Sequence, residues 1–335
     1  MTVMKTIVCV EPGKLASGTA PFPQAKPGHI RVAIRSIGIC GTDYHIMEGL
    51  HPFLQYPRVM GHELSGTALD ASSTGDIAVG DLVVVNPYVT CGTCHACTIG
   101  KPNCCSSISV LGVHGDGGMC DQICVPESNL YPATGLTARD AAMVEFLAIG
   151  AHAVARSRIQ AGTKALVVGA GPIGIGAALF ASFAGAEITL RDTSQARLDR
   201  ACAMVKGSKG VLVGDASADL PADGFETVFD ATGNIKAMNV AINDLAHGGT
   251  LVLVGVVKGE LCIDDPEFHK RETTMMGSRN ALKEDFEKVM FHMRAGDVPV
   301  DMLNTHEAAF EDGVEKLSAW VHNREDIVKA VLHVG

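Results

Sequence analysis

Two textures of apolar and polar positions divide the chain. Through about residue 150 the apolar positions come in short runs cut by Gly and Pro, the pattern of strands and turns. Residues 30–37 read as one strand, and 81–85, after the turn at Gly80, as another. From Ala165 onward, apolar runs at 165–168, 187–190, 227–229 and 251–254 alternate with helical stretches. Alternating β and α segments predict a parallel sheet covered on both faces. Between the two textures, residues 137–154 read as one helix, with Thr137 as its N-cap and Asp140 three positions later. Residues 283–294 read as another helix, and the tail returns to mixed elements. The expected fold class is α/β: a doubly wound parallel-sheet domain at about 151–282 inserted in a mostly-β domain formed by 1–150 and 283–335.

Length and charge narrow the function. A chain of 335 residues has room for two domains with large cores. Its net charge of −10, without Lys/Arg clusters, argues against nucleic acid or an anionic membrane as partner. The segment starting at Met1 reads as a first strand and not as a signal peptide. Residues 165–186 carry no charge, but six of them are Gly or Pro, so they read as a strand, a tight turn and a buried helix rather than a membrane span. The expectation is a cytoplasmic protein, whose eleven cysteines are metal ligands or small core residues.

The strand at 165–168 runs into Gly169-Ala-Gly171-Pro172-Ile173-Gly174, a G-x-G-x-x-G turn that opens a helix. Gly169 permits the tight turn, Gly171 lets the backbone approach a pyrophosphate, and Gly174 allows close packing of helix on strand. The free N–H groups of the helix N-terminus then face the phosphates. Asp192 ends the second strand, eighteen residues after Gly174, where a carboxylate binds the adenosine ribose hydroxyls and repels a 2′-phosphate. Asp192 favours NAD, whereas Arg191 beside it tolerates NADP. Arg197 is a candidate to lie over the adenine. Thr232, Gly255 and Val256 are further expected cofactor contacts.

Four cysteines, Cys91, Cys94, Cys97 and Cys105, follow the spacing C-x2-C-x2-C-x7-C. Four thiolates this close suit a closed tetrahedral zinc site in a lobe at about 88–106. Disulfides are the alternative, and Cys104 is a rival to Cys105 as the fourth ligand. A second, open site is expected from Cys40, His62 and a carboxylate, three ligands that leave one position for water or substrate. Both Glu63 and Glu145 are candidates for that carboxylate. Glu145 lies in the apolar run Ala141-Ala-Met-Val-Glu-Phe-Leu-Ala-Ile, where an unpaired charge costs several kcal/mol. His152, seven residues after Glu145, reads as structural.

Together Cys40-Gly-Thr-Asp, Gly61-His-Glu, the four-cysteine lobe, Glu145 and the glycine turn resemble the zinc-containing medium-chain dehydrogenases, over nearly the whole chain. The resemblance implies a GroES-like catalytic domain plus a Rossmann domain, two Zn²⁺ per chain, NAD, and a homo-oligomer (dimer or tetramer). It selects Cys105 over Cys104. In this family Thr42 takes the substrate proton, relayed through the cofactor ribose to His45 and solvent, and a water polarised by Glu145 offers a second route. Glu145, where the alcohol dehydrogenases have cysteine, points to the polyol and sugar-acid branch. Segments 108–118, 258–260 and 265–280 resemble the bacterial dehydrogenases that oxidise position 5 of a hexonate such as L-galactonate or L-gulonate. One departure is Phe146, where the family usually has proline.

A hexonate carries a carboxylate, so a cation must meet it. Arg279 is the first candidate, by its two parallel donors, ahead of His114 and Lys258. A polyol dehydrogenase acting on a neutral sugar alcohol is the alternative within catalysis. A nucleotide-binding sensor without catalysis is the alternative outside it.

Overall fold

The computed structural model describes residues 3–51 and 54–335 and has two compact units, Met1–Glu145 with Val289–Gly335, and Phe146–Lys288. Met1 and Thr2 of the expected first strand lie outside the described residues; the strand itself covers Val3–Glu11.

The first unit is mostly β. In its larger sheet the strands lie in the order Leu130–Pro132, Leu82–Val85, Glu63–Ala68, His29–Ile39, Lys329–His333 and Asn304–Ala309, and Gln122–Pro126 also pairs with His29–Ile39. The long strand His29–Ile39 shows why this sequence folds so. Ile30, Val32 and Ile34 alternate into the core with half-exposed neighbours, the period of a one-faced strand. The pairing with Glu63–Ala68 then slips between Ile34 and Ser36, and beyond this bulge every residue to Ile39 is buried. The strand therefore runs into the interior at the end that delivers Cys40. Register carries two more residues to that end, because Gly38 faces Glu63 and Ile39 faces Ala330, next to Lys329. Met60, Leu64, Phe310, Leu317, Trp320 and Leu332 close the core on this sheet, each such burial contributing about 1.5–3 kcal/mol.

The second unit is a parallel sheet in the order Lys209–Leu212, Glu187–Asp192, Lys164–Val168, Phe225–Asp230, Leu245–Leu253 and Thr274–Gly277. Counted in chain order this is 3-2-1-4-5-6, and the winding reverses between Lys164–Val168 and Phe225–Asp230, the switch point where such folds bind ligands. Ala165, Leu166, Val167, Val228 and Phe229 are fully buried, as strands covered on both faces require.

One expected element differs. The single helix expected over 137–154 is two helices, Ala138–Ala142 and Val144–Arg156. Thr137 does cap the first, accepting the Asp140 N–H. Its last turn tightens, with the Met143 N–H donating to the Asp140 carbonyl at 3.0 Å. The second helix then restarts with Glu145 in its first turn and Phe146 buried. Among the described residues no helix is long and apolar enough to cross a membrane.

Candidate functional site

The metal-type cluster of the first unit assembles from strand ends. Cys40 is the N-cap of the helix Gly41–Met47, His62 immediately precedes the strand Glu63–Ala68, and Glu63 is its first residue. One ligand atom from each of Cys40, His62 and Glu63 lies within 4.8 Å of the others. Thr42 Oγ1 is 3.8 Å from Cys40 Sγ. Asp43, fully buried, accepts the Cys40 N–H at 2.9 Å and fixes the turn that presents the thiol. Its other oxygen stands 3.9 Å from His62 Nδ1, and neither of those two buried atoms has a hydrogen-bond partner among the described residues.

Glu145 is buried and accepts a hydrogen bond from the Tyr88 hydroxyl. Glu63 is fully buried and is held by Lys329, whose ammonium donates to its two oxygens at 2.7 and 2.6 Å and to the Ile39 carbonyl at 3.1 Å. Gly38 makes room for this carboxylate, since a Cβ at Gly38 would overlap the Glu63 side chain.

The electrostatics call for a cation. Burial pushes the Asp43 and Glu145 carboxyls above the usual carboxylate range, and His62 only partly offsets it. Burial opposes charging of His62, but the charges of Asp43 and Cys40 outweigh it and raise the imidazole well above its ordinary value. Three buried carboxyl groups and a thiol thus surround one imidazole and one ammonium. A thiol, an imidazole and a carboxylate in this arrangement are the donor set of an open zinc site, and a divalent cation removes the excess negative charge, so the residues fit the ion.

The cysteine lobe fits a closed site. The Sγ atoms of Cys91, Cys94, Cys97 and Cys105 lie within 4.8 Å of one another, with Cys91–Cys105 at 3.5 Å and Cys94–Cys97 at 3.6 Å. A zinc–sulfur bond of about 2.3 Å in a tetrahedron gives sulfur–sulfur edges of ~3.8 Å. N–H groups of Cys94, Cys91 and Ser107 point at these sulfurs. The Cys94 thiol is drawn down to about 5, chiefly by the Cys97 N–H, which favours the thiolate a metal needs. The cluster takes Cys105, which is buried, and Cys104 is exposed.

In the second unit the glycine turn has the geometry a pyrophosphate requires. Gly169 has φ +98°. Gly171, the N-cap of the helix Pro172–Phe183, has open space where a Cβ would stand, with Ile173 half-buried in the first turn. A Cβ at Gly174 would overlap the Gly169 carbonyl oxygen. Asp192 closes the turn, accepting the Ala170 N–H at 2.8 Å and the Ser194 N–H at 2.9 Å. The Arg197 guanidinium is 4.0 Å from Asp192. Arg191 is paired with Asp244 at 2.7 Å, so its charge is already met. Thr232 donates to buried Asp230 at 2.7 Å, and the Gly255 N–H donates to the Asp230 carbonyl at 2.9 Å, so both sit at the end of the strand Phe225–Asp230 beside the glycine turn. Val256 is 90% exposed, an apolar side chain open to a ligand.

The remaining candidates are on the surface. His45, His114, Lys258 and Arg279 are exposed. His114 accepts the Val110 N–H at Nδ1. His45 and His114 gather with His62 around His51, and burial together with these three imidazoles holds His51 below its usual value. His152 pairs with Asp285 at 2.7 Å, both buried, a structural contact between the helices Val144–Arg156 and Lys283–Ala295.

Tyr88, Lys329 and His51 are not among the residues singled out from the sequence. Lys329 did leave a signal: it is a lone lysine in the apolar run Val328-Lys-Ala-Val-Leu, the same anomaly that marks Glu145.

Residues 26–135 match the alcohol dehydrogenase GroES-like domain, and residues 172–294 match the zinc-binding dehydrogenase domain. The chain is 43% identical to L-galactonate-5-dehydrogenase of Escherichia coli K12, over 99% of both proteins. It is 31% identical to D-altritol 5-dehydrogenase of Agrobacterium fabrum, over 83% of this chain and 84% of that one. Among solved structures, the short chain alcohol dehydrogenase (rspB) of E. coli CFT073 complexed with NADH superposes with a TM-score of 0.91, at 26% identity and covering 99% of this chain and all of that one. With its mostly-β GroES-like unit, its Rossmann sheet and a zinc-type donor set, the chain belongs to the zinc-binding alcohol dehydrogenases, oxidoreductases that act on a CH–OH group with zinc and a nicotinamide dinucleotide.

Proposed function

We propose that this protein oxidises the secondary alcohol at position 5 of a hexonate, L-galactonate or L-gulonate, to the keto acid with NAD⁺. The observation that carries the reading is the donor set of half-buried Cys40, buried His62 and a buried carboxylate, in a chain that aligns end to end with an L-galactonate-5-dehydrogenase. Held there, zinc would supply Lewis acidity for the substrate hydroxyl, and a bound nicotinamide would supply the hydride-accepting chemistry.

The rest is the work of this chain's side chains. Cys40 and His62 would hold the metal, and the Tyr88 hydroxyl, by its hydrogen bond, would position Glu145 beside it. Thr42, next to the Cys40 sulfur, takes the hydroxyl proton. Exposed His45, an imidazole able both to accept and to donate a proton, passes that proton to solvent. Gly169, Gly171 and Gly174 admit the pyrophosphate, and Asp192 receives the ribose hydroxyls. The Arg191–Asp244 pair leaves no free charge for a 2′-phosphate at that residue, which supports NAD over NADP. Arg279 meets the hexonate carboxylate. The assembly is a homo-oligomer, a dimer or tetramer.

The test is NAD⁺ reduction over a panel of aldonates and alditols, repeated with Arg279→Ala. L-galactonate and L-gulonate should lead the panel in kcat/KM. Loss of a bidentate carboxylate contact, about 1.5–3 kcal/mol, should cost the variant roughly ten- to a hundredfold on hexonates and little on alditols. Faster turnover of sorbitol than of either hexonate overturns the sugar-acid reading in favour of a polyol dehydrogenase.

A further inference from the structure

The helix that follows the glycine turn, Pro172–Phe183, rests on the helix Val144–Arg156 through backbone alone. A Cβ at Gly150 would overlap the Gly176 carbonyl carbon and stand 2.5 Å from the Ala177 nitrogen. Gly176 lies five residues past the N-cap Gly171, about 7.5 Å along the axis from the end that faces a pyrophosphate. The tightness is one-sided. A Cβ at Gly176 would meet nothing nearer than Leu147 Cδ2 at 3.7 Å, an ordinary packing distance. Neither helix has room to give way. Gly174 through Ala181 are buried, and a Cβ at Gly174 would overlap the Gly169 carbonyl oxygen. Val144–Arg156 is tied down by His152, whose Nδ1–H donates to Asp285 at 2.7 Å, with both side chains buried. Two residues are about 200° of helix rotation, so His152 leaves the helix opposite Gly150. Asp285 is itself fixed, because the same oxygen accepts the Leu282 N–H at 2.8 Å where the helix Lys283–Ala295 begins. Gly150, His152, Gly176 and Asp285 all belong to the second unit.

We propose that Gly150 and His152 are positioning residues for the dinucleotide. The His152–Asp285 bond fixes the helix Val144–Arg156, and Gly150 lets the helix Pro172–Phe183 settle against it. The first N–H groups of that helix then stand where a pyrophosphate needs them. Both residues act through Pro172–Phe183 and not on the cofactor. This inference rests on the NAD reading of the glycine turn and goes beyond it, to residues outside the turn. The physical reason is tolerance. Non-bonded heavy atoms settle about 3.5–4.0 Å apart, so a methyl group at Gly150 must push the cofactor helix by about 1 Å. The pull of a helix end on an anion fades within its first turn. A displacement of about 1 Å, made far from the reacting atoms, can cost about a hundredfold.

The experiment titrates NADH into the full zinc-loaded chain by fluorescence and reads KM for NAD⁺ and kcat at saturating NAD⁺ beside it. Gly150→Ala should weaken NADH binding roughly tenfold or more and raise KM for NAD⁺ in proportion, with kcat held within about twofold. Gly176→Ala puts a methyl group on the other side of the same crossing and should bind NADH within about twofold of wild type. His152→Ala frees the supporting helix and should weaken NADH binding roughly threefold or more, and His152→Asn, which keeps a donor for Asp285, should restore it. Wild-type NADH affinity in a folded Gly150→Ala overturns the proposal, and so does a fall in its kcat at unchanged KM. An equal loss of affinity in Gly176→Ala also overturns it, because the close approach at Gly150 would then not be the cause. Should Gly150→Ala not fold, the His152 pair decides: wild-type affinity in His152→Ala, or no recovery in His152→Asn, overturns the proposal. Wild-type protein that fails to bind NADH sinks the cofactor reading together with this inference, whereas wild-type binding that the variants leave unaltered sinks this inference alone.

Discussion

Replacing Tyr88 with Phe removes one oxygen from a buried place and leaves the ring. Tyr88 is 6% exposed and Glu145 4% exposed, so no solvent molecule stands ready to replace the lost donor. A hydrogen bond to a charged acceptor contributes about 1.5–3 kcal/mol. Loss of a partner that orients a metal ligand costs roughly ten- to a hundredfold in metal affinity, and at about 1.4 kcal/mol per factor of ten the two estimates agree. Tyr88→Phe should therefore weaken the catalytic zinc by that factor in chelator competition and leave the four-cysteine site loaded. With zinc in excess, kcat should recover most of its value. Affinity within twofold of wild type would refute the reasoning, because it would mean that Glu145 does not touch the metal or does not need Tyr88 to reach it.

Three further outcomes follow from the same structure. Gly174→Ala should abolish NADH binding in a fluorescence titration, since its methyl overlaps the Gly169 carbonyl and forces the turn apart; retained binding would mean that the turn is not the pyrophosphate site. Asp192→Ser should lower the ratio of kcat/KM for NAD⁺ over NADP⁺ by at least tenfold, and an unchanged ratio would remove Asp192 from cofactor choice. Stripped of its catalytic metal, the protein should lose stability as pH rises. Burial raises Asp43 and Glu145, and His62 is raised by Asp43 and Cys40 against its burial. Groups raised in the folded state contribute fully below their unfolded values, near 4 for the acids and 6.5 for the imidazole, and lose that contribution as pH climbs through the folded ones. Tm measured against pH should fall toward neutrality in the stripped protein and not in the loaded one; parallel curves would contradict the charge balance described above.

Much of the fold is visible in the sequence because its signals are local. The apolar runs at 165–168 and 187–190 become the strands Lys164–Val168 and Glu187–Asp192, and the glycine turn follows the first of them as its spacing requires. The cysteine rhythm places four sulfurs together because the ligands lie within fifteen residues of one another. What escapes is set by tertiary contact. The break at Met143 has no Gly or Pro to announce it and comes from a tightened last turn. Lys329 meets Glu63 across 266 positions, through a strand register that no local pattern encodes. The choice between Glu63 and Glu145 is open in the sequence for the same reason, since the partners that hold them, Lys329 and Tyr88, come from distant segments of the chain.

Zinc-edge anomalous diffraction from crystals of the untreated protein examines the metal centre directly. Two peaks per chain should appear, one inside Cys91, Cys94, Cys97 and Cys105, the other about 2.0–2.3 Å from Cys40 Sγ, a His62 nitrogen and a Glu145 oxygen. A single peak confined to the cysteine lobe, or a second one bonded to neither Cys40 nor His62, would contradict the assignment of this protein's chemistry.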